Sequence, residues 1–190
     1  MSNGTILLLI VAAVLGFWAV GAYNRLVRLR NVIAERFGQV EAQLRQRHDG
    51  IQQVAVQATS GVEPLPPERG VLDAAGQQAR SALDLARRYP GSAGPVTSLA
   101  LAEQVLDDAL ERLLQATGRD GLDTALDALA ATSSQLGFAR QQFNASVADY
   151  NRAVRQSPTH ILSRVFGFSP TAELADPPAA GRGPADNNGS

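Results

Sequence analysis

From Ile6 to Ala22 the chain has no charged side chain and almost no polar one. With no turn signal it then continues into Tyr23-Asn24-Arg25-Leu26-Val27-Arg28-Leu29-Arg30. Those 17 residues span about 26 Å as a helix, against roughly 30 Å for a bilayer core. Thr5 and Tyr23 extend the stretch, and Trp18 and Tyr23 lie near one end, where aromatic rings favour the interface. The expected reading is a transmembrane helix over 5–23 that runs directly into a soluble domain. A cleaved signal peptide would carry Arg or Lys before the apolar stretch, and Met1 to Thr5 have neither. Small residues at Ala19, Gly21 and Ala22 keep cleavage open. A buried core helix fits a run of ten to fourteen residues better than this one.

Charge sets the expected orientation. Arg25, Arg28, Arg30 and Arg36 follow the apolar stretch and no basic side chain precedes it. The positive-inside rule then puts the N-terminus outside and the domain in the cytoplasm. All basic side chains are Arg and none is Lys, and Ala is abundant, which fits GC-rich bacterial coding. The expected location is therefore a bacterial cytoplasmic (inner) membrane, crossed once. With a net charge of −1, nothing points to nucleic acid as a partner. There is no cysteine, so disulfide and thiolate chemistry are excluded.

The remainder reads as all-α. Leu26, Leu29, Ile33, Phe37, Val40, Leu44, Ile51, Val54 and Ala58 recur at steps of three, four or seven. Ser60 to Pro67 ends that helix, because its prolines cannot continue one. A second helix starts near Pro67 with a small-residue seam of Leu72, Ala75, Ala79, Ala82, Leu85 and Ala86, and ends at Tyr89-Pro90-Gly91. A third follows Pro95, with Leu99, Ala102, Leu106, Ala109 or Leu110 and Leu113 inward, and closes at Gly118. A fourth runs from about Leu122 to Gln156. Its seam is Leu122, Leu126, Leu129, Ser133, Leu136, Arg140, Phe143, Val147, Tyr150 and Val154. Four such helices with short connections predict an antiparallel four-helix bundle.

Residues that could carry chemistry are few. Ser133 and Arg140 interrupt the apolar seam, so Arg140 is either a snorkelling edge residue or a buried charge that needs a carboxylate. Glu103, Asp107 and Glu111 on the third helix are the available partners. His48 and His160 lie far apart without other ligands at metal-binding spacing, so no metal is expected. Asp107, Asp108 and Glu111 lack the carboxylate–histidine pairing of di-iron bundles and read as a solvated face. No phosphate loop, nucleophile elbow or catalytic triad order is present, and no cofactor is expected. The triplet Tyr23-Asn24-Arg25 recurs as Tyr150-Asn151-Arg152. In an antiparallel pair the two triplets face each other near the bilayer. With Arg140 and Asn144, the residues Tyr23, Asn24, Arg25, Tyr150 and Asn151 form a candidate membrane-proximal polar layer that fixes register, as buried Asn does in coiled coils. Coincidence of common residues is the alternative.

At these residues the chain resembles the LemA family of bacterial membrane-anchored helical proteins. One block is Tyr23-Asn24-Arg25-Leu26-Val27 followed by Gln43 to Ile51. The other is Phe138-Ala139-Arg140-Gln141-Gln142-Phe143-Asn144 with Val147 to Val154, then Ser157-Pro158-Thr159 and Phe166-Gly167-Phe168. The chain departs from the family's pattern at Gln52, where proline is usual, and at Ser133 and Ser134, where an acidic residue and Asn are usual. It also lacks a Tyr-Pro-Asp-Leu block before the last helix. The resemblance implies a helical bundle behind one span and no established reaction. The expected layout is a short N-terminal end over 1–4, the span over 5–23, the bundle over 24–168 and a Pro-, Gly- and Asn-rich disordered tail over 169–190. The apolar stretch 161–168 is expected either at the membrane interface or as a plug on the bundle. The leading functional expectation is a non-enzymatic scaffold or regulator of another membrane-associated protein, with the lipid bilayer as a second partner. A lipid or envelope-stress sensor and an enzyme with a groove site around Arg140 are the alternatives.

Overall fold

The computed structural model describes residues 3–156 and 167–174. It contains four helices and, among the described residues, no strand: α1 (Asn3–Ala58), α2 (Pro67–Arg88), α3 (Ala93–Thr117) and α4 (Asp123–Arg155). The all-α bundle expected from the periodicity is what the chain forms. α1 is continuous for 56 residues, about 84 Å long. Gly50 does not interrupt it, because a lone glycine costs only about 1 kcal/mol against the packing on both sides. The Pro-rich stretch ends it as expected, since Pro64, Pro66 and Pro67 lack the amide protons a helix needs. α2 opens on Pro67, carries Glu68 in its first turn and Arg87 and Arg88 in its last, so its end charges oppose the helix dipole. α3 stops at Gly118, whose φ of +83° is a conformation that side-chain-bearing residues rarely adopt.

Helices α1 and α4 pack closely against each other, as do α2 and α3, and α1 touches both members of the second pair. The α1/α4 pairing is antiparallel. The rings of Phe37 and Phe143 meet edge to face at 5.7 Å. Ten residues further up α1, Arg47 reaches Ser133, ten residues back along α4. Most buried positions are those that the heptad steps mark, and one exchange falls in α2. Leu83 is buried there, and Leu85 is exposed. Leu83 lies three to four residues from Ala79 and Ala86, on the same stripe, and Leu85 falls about 200° from Leu83.

The core divides into two apolar clusters. The lower one, nearer the apolar stretch of α1, is built on Ile33, Phe37, Leu44, Phe143 and Tyr150. The upper one is built on Ile51, Val54, Leu72, Leu106 and Leu113. Below both, Ile6 to Val20 stand bare: the most apolar 18-residue window of α1 has mean hydropathy 2.5 and none of it is buried in the protein. It is long and apolar enough to cross a membrane.

Residues 169–174, expected to begin a disordered tail, are instead packed on the bundle. Thr171 and Leu174 are buried, with Phe168 just before them. Three inward side chains and five side-chain to backbone hydrogen bonds give this short stretch a fixed seat that its composition alone does not reveal. Residues 161–166 and 175–190 lie outside the described residues, so the proposed interfacial role of 161–168 is addressed only at Gly167 and Phe168.

Candidate functional site

Two polar layers and an exposed phenylalanine on α4 break the regular packing. The first layer lies between the two apolar clusters. Arg47 and His48 occupy successive positions of α1, between the buried Leu44 and Ile51. From α3, Glu103 comes inward beside Ala102. Arg47 Nη1 donates to Glu103 Oε2 at 3.1 Å, and Nη2 donates to Asp107. Nε of the same guanidinium donates to Ser133 Oγ at 3.4 Å, and that hydroxyl donates to the Leu129 carbonyl on α4. His48 Nε2 donates to the other oxygen of Glu103 at 2.6 Å. The Nδ1 of His48 is buried with no partner among the described residues. One guanidinium thus ties three helices together at one level. Both carboxylates are taken up by it, and among the described residues no grouping could hold a metal ion.

Arg47 was absent from the expected seam, although the spacing points to it. Val40, Leu44, Ile51 and Val54 leave one heptad position vacant, and Arg47 fills it. Glu103 and Asp107 had been matched to Arg140 as potential partners; the structure places both on Arg47. Glu111, the third candidate, faces outward and pairs with Arg119 at 2.7 Å. Arg140 is buried on α4, two turns below Ser133, on the lower cluster's side of this layer.

The second layer lies near the lower end, where Asn144, Tyr150 and Asn151 line up along α4. Each asparagine binds one backbone residue of the returning chain at both of its polar groups. Asn151 Oδ1 accepts from the Thr171 amide and its Nδ2 donates to the Thr171 carbonyl, both at 2.9 Å. Asn144 does the same with Leu174, at 2.8 Å for both bonds. Tyr150 donates its hydroxyl to the Ser169 carbonyl at 3.1 Å. Burial pushes that hydroxyl above the ordinary tyrosine range, and the neighbouring Arg30 partly offsets the shift. The ring of Phe168 completes the seat: Tyr23 meets it edge-on at 5.7 Å and the Arg30 guanidinium lies 5.3 Å from its centre.

Of the seven residues assigned to one polar layer, Tyr23, Asn144, Tyr150 and Asn151 do meet around a common feature. That feature is the chain segment 167–174, not a facing triplet. Asn24 and Arg25 are exposed on α1. With Leu26 buried, Arg25 is turned about 100° away and Asn24 about 160°, while Tyr23 returns to within about 60°. Arg152 likewise points outward, bonding Asp149 at 3.4 Å. Arg140 is buried on α4 one turn from Asn144, about 6 Å along the helix axis.

The phenylalanine is Phe138, which is 64 % exposed along the α1/α4 pair. Shallow grooves flank it. One is lined by Leu29, Val32, Gln141 and Gln142 among others, and the other by Gln39, Ala42, Ser134 and Gln135.

A family model described as the LemA family matches residues 36–184, which takes in the first polar layer, the α4 residues of the second and the segment 167–174. No curated protein and no solved structure matches the chain.

Proposed function

Since the chain belongs to the LemA family, we propose that it is a membrane-anchored, non-enzymatic scaffold that docks another membrane-associated protein through the outer face of α1 and α4. The apolar stretch ending near Tyr23 serves as the single anchor, and the arginines after it keep the bundle on the cytoplasmic side. The observation that carries this reading is Phe138. It is the large exposed apolar side chain of a face whose other members are Ser134, Gln135, Gln141, Gln142 and Ala145 on α4 and Leu29, Val32, Gln39, Ala42 and Gln43 on α1, with Arg36 and Asp149 as its charged residues. Charge is depleted and aromatics are enriched at the centres of protein interfaces. Other exposed faces, such as Arg80, Asp84, Arg87 and Arg88 on α2, are charged in the usual way.

Position narrows the partner. Gln39 is 16 residues beyond Tyr23 on a continuous helix, so the face is centred about 25 Å from the end of the apolar stretch. A protein held at the same membrane reaches that height without leaving the bilayer surface. The test is a photo-crosslinking residue at Gln135 in native membranes, with a second at Arg80 on the opposite side. A discrete protein adduct is expected from Gln135 only, and Phe138→Ala should reduce it at least fivefold. Because Phe138 is exposed, that substitution leaves stability within about 0.5 kcal/mol. Equal adducts from both positions, or adducts with lipid alone, would sink the scaffold reading.

A further inference from the structure

The lower polar layer has features of a ligand site whose ligand happens to be covalently attached. Its protein side is rigid: two asparagines on one helix, seven residues apart, so about 10.5 Å along the axis. Its ligand side is extended. Thr171 and Leu174 are three residues apart, and three residues of extended chain cover about 10 Å. The two repeats therefore coincide, and each carboxamide meets a backbone amide and carbonyl of the same residue. None of these four bonds involves a ligand side chain. The inward residues are Phe168, Thr171 and Leu174, while Ser169, Pro170 and Glu173 face out. A spacing of three is the repeat of a polyproline II chain, not the period of two of a β-strand.

The resident segment is also an imperfect fit. The hydroxyl of Thr171 is buried at the middle position with no partner among the described residues. A buried hydroxyl without a hydrogen bond weakens whatever holds it there. A peptide with Val or Ala in that place would keep the four backbone bonds and lose the defect.

We propose that the groove along Asn144, Tyr150 and Asn151 is a binding site for extended peptides of the polyproline II type, with an aromatic residue, a small apolar residue and an aliphatic residue at every third position. Segment 167–174 occupies it in cis as a weak resident, and a better-matched peptide from another protein replaces it. Recognition through the backbone gives the grip, and the three sockets give the selectivity. This site borders the face around Phe138, because Asn144 and Glu173 line one groove with Gln141 and Ala145, but peptide binding is read without any partner on that face.

The test uses the full chain in detergent micelles and a fluorescent peptide copying residues 165–176 with valine in place of Thr171. Fluorescence anisotropy measures binding. Weakening the resident by Leu174→Ala in the protein should tighten peptide binding at least fivefold, because the site is vacated. The double variant Asn144→Ala, Asn151→Ala should weaken it at least tenfold. Should that variant fold poorly, the peptide supplies the same information: N-methylation at its Leu174 position removes the amide that Asn144 accepts from and should also weaken binding at least tenfold. The unmodified threonine peptide should bind about fivefold more weakly than the valine peptide. The proposal is overturned if Leu174→Ala leaves the affinity unchanged, or if the N-methylated peptide binds as well as the parent.

Discussion

The two polar layers of this bundle solve different problems. The upper one buries full charges, Arg47 against Glu103 and Asp107, with His48 on the same carboxylate. Its members come from α1, α3 and α4, and each bond from Arg47 or His48 reaches a residue more than fifty positions away in sequence. The lower one is built on neutral carboxamides and one tyrosine, all on α4, and its partners are backbone atoms of one extended segment. A buried ion cannot give up its partner without stranding a charge in the interior. An amide can exchange its partner for water at the edge of the bundle at moderate cost. The charged layer is therefore suited to locking helices in register, and the neutral layer to holding something that leaves.

The sharpest way to break this contrast is Glu103→Ala. It leaves Arg47 with Asp107 as its one remaining carboxylate and removes the only described partner of His48 Nε2, so a loss of about 2–3 kcal/mol is expected in urea unfolding of the full chain in detergent. Replacing Arg47, His48 and Glu103 together by Met, Leu and Leu should recover most of that, because apolar groups of similar volume need no partner. A loss under about 1 kcal/mol for Glu103→Ala would mean that water reaches the layer and that the two layers do not differ in kind.

The contrast also explains what the sequence disclosed. The helices, their ends and nearly all of their buried faces follow from spacing, because a period of seven repeats over many residues. Arg47 breaks that pattern, and a pattern search passes over the position it fills. The vacant step between Leu44 and Ile51 was the available signal. Asn144 and Asn151 were visible as a pair on one face, yet their partner was not. What they bind is neither helical nor periodic over more than three repeats. Ser169-Pro170-Thr171 reads by composition as loose chain, and its order comes from bonds made by α4.

The second prediction is smaller and local. Asn151→Ala removes two hydrogen bonds at Thr171, worth about 1–2 kcal/mol together. Segment 167–174 should loosen while the bundle stays folded. In hydrogen exchange the Thr171 and Leu174 amides should become roughly tenfold faster, with the amides of Phe37 and Phe143 unchanged. If the whole bundle loses protection together, the segment is an integral part of the fold and the lower layer behaves like the upper one.

The smallest effect is a pH dependence confined to the lower layer. The Tyr150 hydroxyl must be protonated to donate to Ser169, and burial raises its folded value above the ordinary one of about 10. A raised value means that the contribution is complete below about pH 10 and is lost as pH climbs through the folded value. A fluorophore on Glu173→Cys, unambiguous in a chain without cysteine, should report release of the segment in that alkaline range. Helicity by circular dichroism should hold through the same range. Tyr150→Phe should abolish the transition, since it leaves Asn144 and Asn151 in place and removes the one titrating donor. Release that persists in Tyr150→Phe would place the titrating group elsewhere and leave the two asparagines as the whole of the clasp.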